Sequence, residues 1–439
     1  MTDAPPAGVD RPLTRAERRA LRAGTDGPSP DRDPSAEPTD ARGPGAGADP
    51  GPADRGGRRA AERARRQTRA ERRRFWLIAM PSIVVVLALL VGVGVWLRRT
   101  DADAGTGGAG AGLPALQRTA ALLGHTTIEG SADVILVLGR TGDDGSVLLV
   151  PAATQVEVPS LGIRTLGQVP ALGTAELLAT TVQNLTGVRT GAPILGGDAS
   201  LASALAPAAP FTVDLPNDVV PAGGSRPETP AGPVRVSAEE ALRLLTIDED
   251  GSEVDHLVTV QAVLDAWFAR LRDPEVAAAT RAAAPELAGP LIEVATTGRP
   301  SFDTLPVDSV GTSGDERLRV RSASVPALVE RMFPDARLGI DGSRPRVEIL
   351  NGVGTVGLAQ AVAARVVPVG ADVRLTGNWP GFGIGATQVV YYRDRDRRAA
   401  RIILDAVGVG SIRKAGRAVG ITDITIIVGP DFDPKAATP

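Results

Sequence analysis

The chain has 439 residues, enough aliphatic side chains to build buried cores, and no cysteine, which excludes disulfides, thiolate catalysis and cysteine-ligated metals. Only two histidines are present, His125 and His256, so neither a His-based zinc site nor a Ser-His-Asp triad is expected. The formal net charge of −3 hides an asymmetry. Residues 1–74 hold 17 basic and 12 acidic residues, whereas residues 100–439 hold 29 basic and 39 acidic ones, so the two parts should face different partners.

The first 74 residues predict a disordered, arginine-rich cytoplasmic tail. They are rich in Pro, Gly, Ala and Asp and cannot bury enough apolar surface to offset the entropy of ordering. Within them, Leu13–Gly24 could form a short basic helix that docks to anionic lipid or a cytoplasmic partner, or could simply be a solvated charged tail. The ten arginines of residues 55–74 are interpreted as determinants of membrane topology and not as a nucleic-acid site.

Residues 75–97 predict a transmembrane helix. They form 23 residues without a charge, which as a helix would extend about 34 Å, enough for a hydrocarbon core of about 30 Å. Trp76 and Trp96 lie at the two ends, where the membrane interface favours them, and the arginines before the span place the N-terminus in the cytoplasm. A cleaved signal peptide fits less well, because the run is long and starts late. Residues 98–117, rich in Gly and Ala, predict a flexible linker.

Residues 118–334 mix strand and helix patterns, which predicts a layered α/β domain. A strand pair should span Ala132–Ala152 with a turn at Gly142–Gly145, and a further strand should lie at Phe211–Pro216. Three helices are predicted, one over Thr174–Val188 with Thr174 as N-cap and Gly187 at its end, one starting with the capping box of Ser237 and Glu240, and one over His256–Arg272.

The order of these segments, with the motifs VP-x-x-T, LTGV, VDLP and Q-x-V-L, resembles the LytR–CpsA–Psr family. The resemblance implies a membrane-anchored transferase that moves polymers from polyprenyl-pyrophosphate lipids onto peptidoglycan. It also implies that an arginine after the second strand grips the pyrophosphate, and that an aspartate helps to hold magnesium.

The chain departs from that family pattern where the chemistry would lie. Ala152 replaces the arginine, Thr165-Leu166-Gly167 stands where the family has a Lys-x-Asn pair, and Leu244–Asp255 is acidic where the family has Arg-x-Arg. Asp133 matches the magnesium aspartate, but one carboxylate seldom makes a magnesium site, and it could instead be a solvent contact at a strand start. These departures predict a degenerate domain with no catalytic residues, no resident cofactor and no metal beyond the weak candidate Asp133; Arg164 is interpreted as a surface residue.

The C-terminal module, residues 346–432, predicts a compact β-α-β-β-α-β domain, preceded by a linker at 335–345 and followed by a tail at 433–439. Between its first strand and helix, residues 352–357 satisfy G-x-G-x-x-G, and Asp372 follows 20 residues on. A dinucleotide site is not expected, because the module has too few strands for a doubly wound fold. The segments V-E-I-L-N-G-x-G-x-x-G-L-A, V-V-Y-Y and I-V-G-P-D-F instead resemble the LytR C-terminal domain.

Asn351, Gly352, Gly354 and Gly357 are the candidate binding residues, since a helix N-terminus offers backbone N–H groups to a cell-wall or phosphate group. The alternative is that they only build a tight turn.

The sequence therefore favours a non-catalytic envelope protein, anchored in the bilayer by residues 75–97, with extracytoplasmic domains that bind peptidoglycan, a wall glycopolymer or an envelope protein. The alternative is an active LytR–CpsA–Psr-type transferase. No DNA-binding motif supports transcriptional regulation or a nucleic-acid partner. The Arg, Ala, Gly and Pro bias is typical of high-GC bacteria such as actinobacteria.

The membrane prediction can be tested with a reporter fused to the C-terminus. We expect a reporter that works only outside the cytoplasm to be active, and the chain to stay in the membrane fraction after a carbonate wash. A reporter active only in the cytosol, or release of the chain by carbonate, would contradict the predicted topology.

Overall fold

The structure is a computed structural model that describes residues 118–298, 300–310, 316–416 and 421–436. The predicted tail, transmembrane helix and linker of residues 1–117 lie outside the described residues. Among the described residues, no helix combines the length and apolar composition that crossing a membrane requires.

Residues 118–334 contain eleven described strands and eight described α-helices. The strands are β1 Ala121–Thr126, β2 Ala132–Thr141, β3 Asp144–Leu149, β4 Gln155–Val158, β5 Gly162–Thr165, β6 Ile194–Gly196, β7 Phe211–Leu215, β8 Gly232–Val236, β9 Ser301–Thr304, β10 Val307–Ser309 and β11 Leu318–Val320. The helices are α1 Val169–Leu172, α2 Ala175–Thr186, α3 Asp198–Leu205, α4 Ala238–Thr246, α5 Glu253–Leu271, α6 Pro274–Ala283, α7 Pro285–Thr296 and α8 Val325–Met332.

A five-stranded sheet in the order β6-β1-β2-β3-β9 forms the middle layer of this part. Strands β1, β2 and β3 are antiparallel, while β6 and β9 add in parallel at the two edges. Successive residues of β2 alternate between two cores: Leu136 packs with helices α3 to α7, and Val137 packs with α2, α8 and β4. A sheet buried on both faces confirms the predicted layered α/β architecture and confines polar groups to its ends.

The predicted helix signals are present in the structure. Thr174 caps α2 by accepting a hydrogen bond from Leu177 N, and Gly187 ends it with a left-handed φ of 76°. Ser237 and Glu240 form the predicted capping box of α4. Helix α5 begins at Glu253, three residues before the predicted start, because Ser252 is its N-cap. This earlier start places a glutamate in the first turn of α5.

The C-terminal module has one strand more than predicted. Its elements are β12 Arg346–Asn351, α9 Leu358–Val366, β13 Asp372–Asn378, β14 Gln388–Tyr391, α10 Arg397–Val407, β15 Ser411–Lys414 and β16 Ile424–Val428. The sheet order is β13-β12-β16-β14-β15. The β-α-β-β-α-β prediction was therefore wrong in omitting β15, a short, largely exposed edge strand whose sequence SIRK lacks the apolar alternation that identifies a strand.

The segment 335–345, expected as a linker, packs against both neighbouring parts of the chain. Leu338 and Ile340 are buried in the core of the C-terminal module. Arg344 donates to the carbonyl oxygens of Asn184 in α2 (2.9 Å) and Ala371 (3.0 Å). The side chain of Asn184 in turn exchanges two 2.8 Å hydrogen bonds with the backbone of Val373 in β13. The module is thus fixed to α2 by directional bonds.

Candidate functional site

The positions at which the chain departs from the LytR–CpsA–Psr pattern come together around one cavity of about 780 Å³, here called the acidic cavity. It lies beside the start of β2, the chain after β3 and the N-terminus of α5. Its described lining contains no arginine and no lysine, but it contains six carboxylates: Asp133, Asp248, Glu249, Asp250, Glu253 and Glu316. Such a surface repels anions.

Glu253 occupies the backbone donors that follow β3. Its carboxylate accepts hydrogen bonds from the backbone N–H groups of Ala152 and, at 2.7 Å, Ala153. Adjacent N–H groups of this kind form a site where a phosphate oxygen could bind. Here the chain's own carboxylate fills that position, next to Ala152, where the resemblance to the LytR–CpsA–Psr family would place an arginine.

Glu316 fills a second anion-binding position in the same cavity. Its carboxylate accepts from the backbone N–H of Glu253 (2.7 Å) and from the hydroxyl of Ser252 (2.8 Å), at the N-terminus of α5 where the helix dipole favours negative charge. Glu253 lies within the acidic segment Leu244–Asp255 noted in the sequence, but neither it nor Glu316 was named there as a site residue. Ser252 could have indicated the helix start and thus Glu253, but no local pattern indicates Glu316.

Burial is the main influence on the electrostatics of Glu253. Burial raises the pKa of the Glu253 carboxyl, while the two backbone N–H bonds act in the opposite direction and the nearby charge of Glu316 raises it further. Because the cavity already disfavours the charged form of its own glutamate, it also disfavours the binding of a negatively charged diphosphate.

Backbone atoms pack closely around Gly167 in the wall of the acidic cavity. Gly167 N donates to Ala152 O at 2.8 Å, and a Cβ built on Gly167 would lie only 2.3 Å from Ala132 O. No side chain fits at position 167 without a backbone shift. The position that the family resemblance assigns to a polar side chain is therefore used here for close packing.

Asp133, the weak metal candidate, is bonded to a histidine. His125 is buried, and its two ring nitrogens face Asp133 Oδ1 at 2.7 Å and Asp198 Oδ1 at 2.8 Å. Two carboxylate partners require two N–H donors, so the geometry favours the imidazolium form. Among the described residues, no three His, Cys, Asp or Glu side chains are placed to hold a metal ion. Asp133 is therefore bonded to His125 at the rim of the acidic cavity and is not a lone solvent contact.

The apolar space next to His125 is small. A cavity of about 40 Å³ lies between β1, β2 and the helices α5 and α7, and its walls include Trp267, Leu264 and Leu291. Trp267 is among the largest fully buried side chains of the molecule. A volume of this size holds one or two water molecules and no lipid chain.

The glycine loop of the C-terminal module uses its polar atoms internally. Asn351 Oδ1 accepts from Val353 N (3.1 Å) and Gly354 N (2.8 Å), and its Nδ2 donates to Thr355 O (2.7 Å). Gly354 and Gly357 have left-handed φ angles of 91° and 81°. These bonds and angles explain the residues as turn architecture.

The other two positions of the nucleotide-like pattern also have internal roles. Gly352 lies so close to β16 that a Cβ would meet Val428 O at 2.6 Å. Asp372, the acid that follows the pattern, is bonded at 2.7 Å to Arg374. Binding of a ligand by Asn351, Gly352, Gly354 and Gly357 remains a prediction.

The family comparison agrees with the sheet and loop just described. The family model of the LytR cell envelope-related transcriptional attenuator matches residues 344–432. Residues 344–432 are a LytR C-terminal domain. This match includes Arg344, so the LytR C-terminal domain starts within the segment expected as a linker.

Solved structures similar to the chain cover about half of it. They include TagV of B. subtilis, at 13% identity and a TM-score of 0.42, over 50% of this chain and 96% of that one. TagT of B. subtilis matches at 14% identity and a TM-score of 0.42, over 52% and 95%. A LytR-Csp2A-Psr enzyme from Actinomyces oris matches at 16% identity and a TM-score of 0.40, over 51% and 93%. No curated protein matches the chain.

Replacing Asn351 by alanine should destabilise the LytR C-terminal domain by about 1–3 kcal/mol, because the loop's N–H groups lose their acceptor. Thermal or denaturant unfolding of the full chain measures this effect. Val356→Ala is the matched control, since Val356 lies in the same loop and is 95% exposed. Equal stability of the Asn351→Ala and Val356→Ala variants would contradict the structural role of Asn351.

The stability of the protein should depend on pH through His125. Burial lowers the pKa of His125, but its bonds to Asp133 and Asp198 outweigh burial and raise the pKa above the ordinary value of 6.5. The stabilisation is thus complete below pH 6.5 and is lost as the pH rises through the raised value. His125→Gln should remove this pH dependence and, at pH 6, on the order of 1 kcal/mol of stability. Parallel melting curves of wild type and variant from pH 5.5 to 9 test this, and identical pH profiles would refute it.

Proposed function

We propose that this protein is a non-catalytic cell-envelope protein whose LytR C-terminal domain region binds a wall polymer or an envelope partner. One observation carries the non-catalytic part: the Glu253 carboxylate occupies the Ala152 and Ala153 N–H groups at the position where the resemblance places a pyrophosphate. A substrate diphosphate would have to displace a bonded carboxylate.

The surroundings of Glu253 support the same conclusion. The displaced glutamate would remain among the other carboxylates of the acidic cavity, and the described lining offers no arginine or lysine to stabilise the incoming charge. Phosphoryl and pyrophosphoryl transfer depend on cationic groups that neutralise developing negative charge. The acidic cavity has the opposite charge.

Placement at the envelope is the second part of the proposal. We infer a plasma-membrane anchor at residues 75–97, a cytoplasmic N-terminus, and domains that face the wall. The charge-free run and its flanking arginines support the anchor. The LytR C-terminal domain supports the envelope assignment, since its family is described as cell envelope-related.

The absence of transferase activity can be tested on the full chain purified in mild detergent. We expect no release of phosphate from a polyprenyl pyrophosphate with Mg²⁺, and no measurable binding of that lipid. The double variant Ala152→Arg with Glu253→Ala should bind the lipid at least about tenfold more tightly, because it frees the two N–H groups and adds a guanidinium.

Glu239→Ala is the control for loss of one negative charge, since Glu239 is exposed on α4 away from the lining of the acidic cavity. Magnesium-dependent turnover by the wild type that disappears in Asp133→Asn would establish the transferase instead. A folded double variant that binds no more tightly than Glu239→Ala would refute the blocking role of Glu253.

A further inference from the structure

A second cavity, of about 490 Å³, lies where the LytR C-terminal domain meets α2, and four arginines line it: Arg319, Arg337, Arg344 and Arg374. It is called the arginine cleft here. One wall comes from β4, α2, β11 and α8, and the other from residues 337–344 and the edge strand β13. Its size is that of a typical ligand-binding pocket, about 300–1,000 Å³.

The two walls of the arginine cleft are bonded to each other. Asn184 on α2 holds the backbone of Val373 on β13 through a donor and an acceptor bond, both 2.8 Å long. Arg344 joins the same contact through its bond to Asn184 O. A ligand would therefore meet a preformed site, which lowers the entropic cost of binding.

Two of the four arginines are already neutralised. Arg337 forms an ion pair with Glu330, and Arg374 forms one with Asp372 at 2.7 Å. Arg319 is exposed on β11, and its side chain has no hydrogen-bond or ion-pair partner within the described part of the chain. It is thus free to bind a ligand in the cleft.

Arg344 is the second arginine whose charge is not paired. Its Nη atoms donate to neutral oxygens of Asn184 and Ala371, its Nε is buried without a partner, and no described carboxylate lies within ion-pair distance. Burial lowers the pKa of its guanidinium, which expresses the cost of removing that charge from water, and the nearby charge of Asp372, itself paired with Arg374, offsets only part of this cost. An anion in the cleft would offset this cost.

The charge and chemistry of the cleft select one ligand class. Glu157, whose carboxylate accepts a bond from Thr376, is the only described lining carboxylate that is not paired with an arginine. The guanidinium groups of Arg319 and Arg344, which have no described ion-pair partner, outnumber it. Residues 100–439 are acidic as a whole, with 39 acidic against 29 basic residues, so the cleft is a local exception. Guanidinium groups bind phosphate and carboxylate in bidentate geometry. The valine and leucine side chains of the walls can cover the C–H faces of a sugar ring.

We propose that the arginine cleft binds an oxyanion-bearing saccharide unit, with Arg319 and Arg344 as its ion-pairing residues. The saccharide part of this inference rests on the proposed function, whereas the binding of an oxyanion rests on the arginines alone. Phosphate-bearing wall polymer and the carboxylate-bearing sugars of peptidoglycan share this chemistry.

Calorimetric titration of the full chain in detergent tests the proposal with two probes, a glycerol-phosphate oligomer and an N-acetylmuramic-acid-containing disaccharide. We expect at least one probe to bind, and its affinity to fall about tenfold in Arg319→Gln, the loss of one charge-assisted pair. Arg281→Gln, which removes an equally exposed arginine from α6, should leave affinity unchanged. The probe that binds identifies which of the two sources carries the ligand.

The outcomes separate the two proposals. Failure of both saccharide probes to bind, binding of an acidic hexapeptide in their place, or equal weakening by Arg319→Gln and Arg281→Gln would overturn the arginine cleft as a saccharide site. The non-catalytic proposal would stand in each of these cases. Turnover of polyprenyl pyrophosphate would overturn the non-catalytic proposal alone, because it concerns the acidic cavity.

Since Arg344 also holds the domain contact, its role is tested by Arg344→Lys, which keeps the charge and should weaken binding without lowering the melting temperature by more than a few degrees.

Discussion

Burial of the middle sheet on both faces is the constraint on which the rest of the structure depends. Alternate residues of β2 enter two different cores, so the charged groups of this strand lie near its two ends. In the antiparallel register that pairs Leu136 with Leu149, the start of β2 and the chain after β3 reach the same edge. This brings Asp133 and Ala152 to one rim, and the first turn of α5 closes over it. The position of the acidic cavity is therefore a consequence of strand pairing.

At that rim, carboxylates of the chain itself occupy backbone N–H groups that could otherwise bind an external anion. Glu253 and Glu316 satisfy backbone donors that an anion-binding protein would leave for its ligand. The cost is the burial of a carboxylate close to others: burial raises the pKa of Glu253, and the charge of Glu316 adds to this effect. The His125 side chain compensates part of the negative charge nearby, since both of its nitrogens face carboxylates. The rim is stabilised from within, and its described lining contains no arginine or lysine for an incoming diphosphate to bind.

The contact between α2 and the LytR C-terminal domain has the opposite charge. Asn184 and Arg344 fix β13 against α2, and in doing so they place a guanidinium where no described carboxylate pairs with it. The glycine loop, which had been the candidate binding element of this domain, uses Asn351 to close its own turn. The polar atoms of the glycine loop are thus used internally, whereas the proposed oxyanion site lies at the contact with α2.

The sequence by itself determined the features that depend on neighbours along the chain: the capping box at Ser237, the glycine end of α2 and all but one of the strands and helices of the C-terminal module. Strand β15 was not predicted, because its short polar sequence lacks the alternation of apolar and polar residues that indicates a strand. Only the tertiary structure decided the sites. Glu253 lies 101 residues from Ala152, and Arg344 lies 160 residues from Asn184. No local pattern encodes such pairs, because they meet only when the sheet and its packed helices fix where each chain segment ends.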